Sequence, residues 1–309
     1  MQKSFTKADV VAIQKRLKQA DVPAEQFLTE DYHNSPGVST SLLKLFATDQ
    51  AAFREIHVKK TRKFEVTEAM RFGSDVESWV FNGASVGDWK IIPREFLSES
   101  GQRRGSKWTS YKQALLDRGY DESQLITPDE WENKTVGFDA IRRNILQHRR
   151  AHLLMTSSHV VYHPRVRWLC PETGMLLRGE LDSWLPHKNL IADLKTSAVI
   201  KDAESFSRHA YRLKWHWQAA MYLEAMQILR GQEHSFVFVV AQSTPSYTIR
   251  TYDMDESFLD LARDELLQVK KQYKKCDSKL GWEQKEESQV VTVSPPNWAG
   301  KTTYQIQED

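Results

Sequence analysis

Between residues 158 and 197 the hydrophobic period of the chain shortens to two, and this stretch constrains the fold more than any other. Three runs, HVVYHPRVRWLC (159–170), MLLRGELDSWL (175–185) and LIADLKTS (190–197), alternate apolar and polar side chains, with the turn formers PETG and PHKN between them. Strand side chains point alternately to two faces, so such runs read as half-buried strands, and connections this short join antiparallel neighbours. A three-strand meander is expected. If Pro186 to Asn189 form the second turn, Leu185 pairs with Leu190, and counting outward sets Asp182 opposite Asp193 and Glu180 opposite Lys195, all on one face. A slip of one residue would turn one strand's set to the other face.

The rest of the chain is arranged around this region. The first 150 residues read as mainly helical, with helices at about 6–19 and after VSTS, where Leu42, Leu43, Phe46 and Phe53 trace a stripe. Thr127 as N-cap, Pro128 at the first helical position and Glu130 three residues after the cap open a helix expected to run to about 154. After the meander come a helix over about 202–229, a strand SFVFVVAQ, a turn STPS, a strand YTIRTYD and a helix over 255–275. The 202–229 helix is long enough to be a crossover, so the strand after it can lie parallel in the same sheet. The domains expected are a mainly helical portion (1–157), a mixed α/β core (158–275) and a tail (276–309) packed on the body or on a neighbouring subunit.

Composition removes several function classes. Two cysteines, Cys170 and Cys276, far apart, exclude a disulfide scaffold, a zinc ribbon and a four-cysteine cluster within this chain. A net charge of +2 does not advertise a polyanion partner, so any nucleic-acid surface must be a local patch. The longest strongly apolar run, FVFVVA, is too short to span a bilayer, and the start lacks a signal-peptide core, so a cytoplasmic protein is expected.

Two aspartates facing each other in a half-buried hairpin repel, and one pKa must rise unless a cation sits between them. A divalent ion resolves the conflict. With no His or Cys interleaved, hard oxygen ligands favour Mg2+, with Mn2+ as substitute, over zinc. An acid pair, an ion and a lysine suit phosphodiester hydrolysis: the ion polarises the phosphoryl oxygen and acidifies a water, and the lysine orients that water or offsets charge. In isolation, D-x-K reads far more readily as a solvated edge-strand pair.

The ordered series is more specific. GELD, then DLKT, then WHWQAAMY on the following helix resembles the motif series of the PD-(D/E)xK nuclease superfamily, and most closely the RecE-type (exodeoxyribonuclease VIII-like) phage recombination exonucleases. YHNSPGVSTSLLKLF resembles their early Ser-rich helix start, AMRFGSDVESWVF their first motif, QRRGSKW a basic loop and SPPNWA their C-terminal end. The resemblance implies an α/β fold with a restriction-endonuclease-like mixed β-sheet flanked by helices. It implies Asp182, Asp193, Glu77 and the Leu194 carbonyl as metal ligands, and Lys195 as the catalytic lysine. Gln218 and Tyr222, four apart on one helical face, match a Q-x-x-x-Y element that would position a nucleotide or hold Lys195. Glu77 stands where RecE-type members usually carry His, which makes the set all-oxygen and leaves the subfamily open.

Arg71, just before Gly73, is a candidate phosphate contact or a helix-end charge. Basic clusters at Lys59, Lys60, Arg62 and Lys63, at Arg103, Arg104 and Lys107, and at Arg142, Arg143, Arg149 and Arg150 are solvated faces singly and candidates for phosphate tracking together. Trp217 is read as core, and His209 and His216 as structural. The implied activity is removal of nucleotides from duplex DNA ends, 5′ to 3′, giving 3′ single strands for an annealing protein. The implied setting is a homo-oligomeric ring in a bacterial host, phage- or prophage-encoded. A structure- or site-selective endonuclease on the same core and a DNA-binding protein with a degenerate site are the rival readings.

Overall fold

A computed structural model describes residues 7–19, 21, 24–28, 32, 34–83 and 89–277. Helix α1 (Lys7–Gln19) and strand β1 (Ala24–Gln26) lead to α2 (Thr40–Thr48), whose N-cap Ser39 accepts from Leu42 N, and to the short α3 (Gln50–Phe53). Helix α4 (Glu68–Asn82) starts on the Thr67 cap and buries Val76, Trp79 and Val80, spaced as one helical face. Then come β2 (Lys90–Ile91), α5 (Ser106–Asp117), β3 (Leu125–Ile126), α6 (Pro128–Gln147) and α7 (Arg149–Met155). Thr127 and Glu130 form the expected capping box of α6.

The single long helix expected over 128–154 is two. His148 takes extended backbone (φ −82, ψ 101) and its Nδ1 accepts from Ala151 N, so the residue that ends α6 caps α7. Likewise, the helix expected over 202–229 divides into α8 (Ala203–Arg212) and α9 (Trp215–Arg230), because Lys214 is left-handed (φ 54).

The strands are β4 (Val161–Tyr162), β5 (Arg165–Leu169), β6 (Leu176–Glu180), β7 (Ser183–Leu185), β8 (Leu190–Ser197), β9 (Ser235–Gln242) and β10 (Ile249–Tyr252), and the final helix α10 spans Glu256–Lys275. They do not form one meander. β5 and β6 pair antiparallel beside β1, whereas β7 leaves for a five-stranded sheet of order β10-β9-β8-β7-β4. The cause lies at two facing breaks. Pro164 has no N–H to give a ladder and His163 before it is left-handed (φ 48), so the first run breaks there; Leu181–Asp182 breaks opposite, with Leu181 N bonded to Pro164 O and His163 N to Asp182 O.

In the larger sheet β8 and β9 are parallel through the α8–α9 crossover, and the other pairings are antiparallel. Each face buries its own core. Phe236, Phe238 and Val240 of β9 join Ile191 against α9 and α10, while Val237, Val239 and Ala241 join Ala192 and Leu194 against α4, α6 and α7. Asp193 and Lys195 share the parity of Ile191 and so face the α9 side. No helix among the described residues is long and apolar enough to cross a membrane. The expected C-terminal tail lies, beyond Asp277, outside the described residues.

Candidate active site

The β7–β8 hairpin has the register the turn implies: Leu185 opposite Leu190, Trp184 opposite Ile191, Ser183 opposite Ala192. Asn189, left-handed at φ 48, closes the turn. The ladder stops at Ser183, so Asp182, one residue further, is free to turn its side chain into the sheet edge, where Oδ2 accepts from Leu194 N at 2.7 Å. A strand residue directs its N–H and C=O to the same edge, so the Leu194 carbonyl faces this gap too. Asp193 is 1% exposed, and its two oxygens meet the Lys195 ammonium and the Gln218 amide. Lys195 also lies 5.9 Å from the Trp215 ring centre. Glu77 arrives from α4, and the His163 ring lies between it and Glu180, 3.6 Å from Glu77 Oε1 and 3.9 Å from Glu180 Oε1. Phe81 holds that ring edge-on.

The electrostatics follow from crowding acids with too few cations. Burial first, then Asp193 and Glu77, hold Asp182 well above the usual carboxylate range, against Lys195 and the Leu194 N–H. Burial and Asp193 push Glu77 up to about 7, with Lys195 opposing and Glu180 adding. Burial acts to lower Lys195, but Asp193, Asp182 and Glu77 outweigh it and leave the ammonium above its ordinary value. Lys44 on α2 is pushed down to about 7 by burial and by Lys195, with Asp193 pulling the other way.

Not every residue singled out in the sequence converges here as expected. Glu180 does not face Lys195: it lies in the other sheet opposite Arg165 and takes the Arg165 Nε, because the strand breaks before Asp182. Gln218 reaches Asp193 rather than an open nucleotide position. Tyr222 is buried, and its hydroxyl donates to Glu180 O at 2.8 Å, bracing the residue just before the break. Gly179 permits that approach, since a Cβ there would stand 2.6 Å from Tyr222 Cε1. Arg71 points away to Ser123 Oγ (2.8 Å) and the Trp89 ring. Trp217 is core, its Nε1 donating to Glu265, which also meets His216. His163, Arg165 and Lys44 were missed. The Pro after His163 was the available signal for the first two; Lys44 carried none beyond its place in the Ser-rich helix start.

Three carboxylates crowd a poorly solvated place with one close lysine, and their oxygens are the donor type that a hard divalent ion takes. A tighter trio, with all ligand atoms within 4.8 Å, occurs elsewhere at Cys170, Glu172 and Glu224. There the buried Lys270 ammonium already neutralises Glu224 at 2.9 Å.

Residues 138–291 match the family described as a PDDEXK-like domain of unknown function (DUF3799). No curated protein matches the chain. Among solved structures, a provisionally named exonuclease of Eubacterium rectale is 16% identical over 96% of this chain and 99% of that one, with a TM-score of 0.49. A phage related exonuclease of Haemophilus somnus 129PT is 15% identical over 72% and 98%, with a TM-score of 0.30. The family match begins inside α6 and takes in α7 and β4 to α10, the segment that carries Asp182, Asp193 and Lys195. Residues 138–291 are thus a PDDEXK-like domain, and the mixed, helix-flanked sheet is its restriction-endonuclease-like core.

Proposed function

We propose that the chain is a Mg2+-dependent deoxyribonuclease, with Mn2+ as substitute, that degrades linear duplex DNA from its ends, 5′ to 3′, and leaves 3′ single strands. The observation that carries the reading is the meeting of Asp182, Asp193, Glu77 and Lys195 at the strand break, where the acids exceed the cations. End preference, polarity, a single-strand annealing partner, a ring of subunits and a phage setting rest on the resemblance of the motif series to RecE-type exonucleases.

When bound, a divalent ion would polarise the scissile phosphoryl group and acidify a water. Lys195 keeps its proton at Nζ, because three carboxylates favour the ammonium, and so presents a fixed positive charge to the attacked group. The Gln218 amide fixes one Asp193 oxygen, so that the carboxylate cannot rotate away. Tyr222 pins the Glu180 carbonyl and thereby the turn that aims Asp182.

The test uses linear duplex labelled at either 5′ or 3′ ends, and a covalently closed circle, with and without Mg2+. Early loss of the 5′ label from linear DNA, a surviving circle and an inert Asp182→Ala variant are expected. Linear duplex left intact in Mg2+ and Mn2+ refutes the enzymatic reading; cutting of the circle replaces the exonuclease with an endonuclease.

A further inference from the structure

Helix α2 does more than fill the core. Leu43 and Phe46 face inward, and the Thr40 hydroxyl meets Met221 Sδ of α9 at 3.3 Å. Met221 lies three residues after Gln218, the side chain that holds Asp193, and residues at that interval share a helix face. Lys44 lies four residues after Thr40 on the same face of α2, so the packing of α2 on α9 delivers it beside the acid-lysine cluster. Its charged neighbours there are Lys195 and Asp193.

Both Asp193 oxygens are already engaged, one with Gln218 and one with Lys195. Among the described residues no carboxylate forms an ion pair with Lys44, which is half-buried beside a second ammonium. Burial and the neighbouring Lys195 ammonium make full charge on Lys44 costly unless an anion lies beside it. An anion arriving from outside removes the cost. Lys195 stands among the carboxylates and serves the reacting phosphate, and repulsion keeps Lys44 apart from it, so the anion suited to Lys44 is the next phosphate along the strand.

We propose that Lys44 binds a non-bridging oxygen of the phosphate adjoining the scissile one on the strand being cut. The assignment rests on the nuclease reading above. It gives α2 a substrate-binding role, with Lys44 contributing to strand registration and Lys195 to the reacting group.

The experiment compares wild type, Lys44→Met and Lys44→Arg on duplexes carrying a single neutral methylphosphonate at successive linkages of the cut strand. Binding is read in Ca2+ and cleavage in Mg2+, with an unfolding curve for each variant. Lys44→Met is expected to raise KM and Kd about tenfold with kcat changed far less, and Lys44→Arg to recover most of the loss. One methylphosphonate next to the scissile linkage should weaken wild type about tenfold and leave Lys44→Met unchanged, since the charge pair is already broken. Penalties that multiply independently at every linkage overturn the assignment while leaving the nuclease reading intact. A wild type that neither binds nor cuts overturns both.

Discussion

Raising the pH should destabilise the ion-free protein through Glu77, and a divalent ion should reverse the effect. Glu77 rises from 4.5 to about 7 in the fold, so between those values the native state holds a proton that the unfolded chain has released. Stability from this group is therefore intact below 4.5 and falls as pH climbs toward 7, the opposite sign to an ordinary salt-bridged acid. At about 1.4 kcal/mol per pKa unit the full shift is worth roughly 3 kcal/mol. The Glu77 side chain is 33% exposed. Solvent screening therefore leaves about 1–2 kcal/mol, or roughly 2–6 °C in Tm. Asp182, also raised, adds in the same direction. Burial lowers His163 and His216, which push the other way near neutrality, so the decisive quantity is the difference between wild type and Glu77→Gln. Thermal unfolding in chelator from pH 5 to 8 should show a gap that opens in favour of Glu77→Gln, and millimolar Mg2+ at pH 8 should close it by stabilising wild type. Parallel Tm profiles for the two proteins, with Mg2+ acting equally on both, would refute the reasoning.

Two further outcomes follow from single contacts. Gly179→Ala should lose about 1–3 kcal/mol in urea unfolding, because its Cβ would press on the buried Tyr222 ring at 2.6 Å; an unchanged midpoint would mean the ring has room to move. Gln218→Met removes the amide from Asp193, and such supporting hydrogen bonds are worth about 10–100-fold in metal affinity or activity. A Mg2+ titration of cleavage should shift by that order, and an unshifted titration would leave Gln218 without a supporting role.

The sequence was most readable where structure is local. Turn chemistry set the β7–β8 register as far as Ser183 opposite Ala192, because a short connection leaves the pairing little freedom. The caps at Ser39 within VSTS and at Thr127 marked helix starts through side-chain bonds to backbone a few residues on. Breaks were harder to see. Lys214 interrupts its helix by backbone conformation and His148 by extended backbone with a side-chain cap, and neither residue type forbids helix. The strand break at Leu181–Asp182 moved Glu180 to Arg165, and only Pro164, in the facing run, hinted at it. Lys44 and Glu77 reach the site through packing between elements distant in sequence, which hydrophobic periodicity does not record.

The break before Asp182 also bears on the order in which the site assembles. The bonds from Asp182 to Leu194 and from Gln218 to Asp193 span 12 and 25 residues, whereas Glu77 and Lys44 return from far upstream. Contacts that close short loops form with little entropic delay, and distant ones wait for the docking of whole helices. By loop length alone, the hairpin aspartates are expected to come together first, in the company of Lys195, and Glu77 to join when α4 docks. An ion that needed the completed set would act after the folding barrier, and the expected outcome is slower unfolding with an unchanged folding rate.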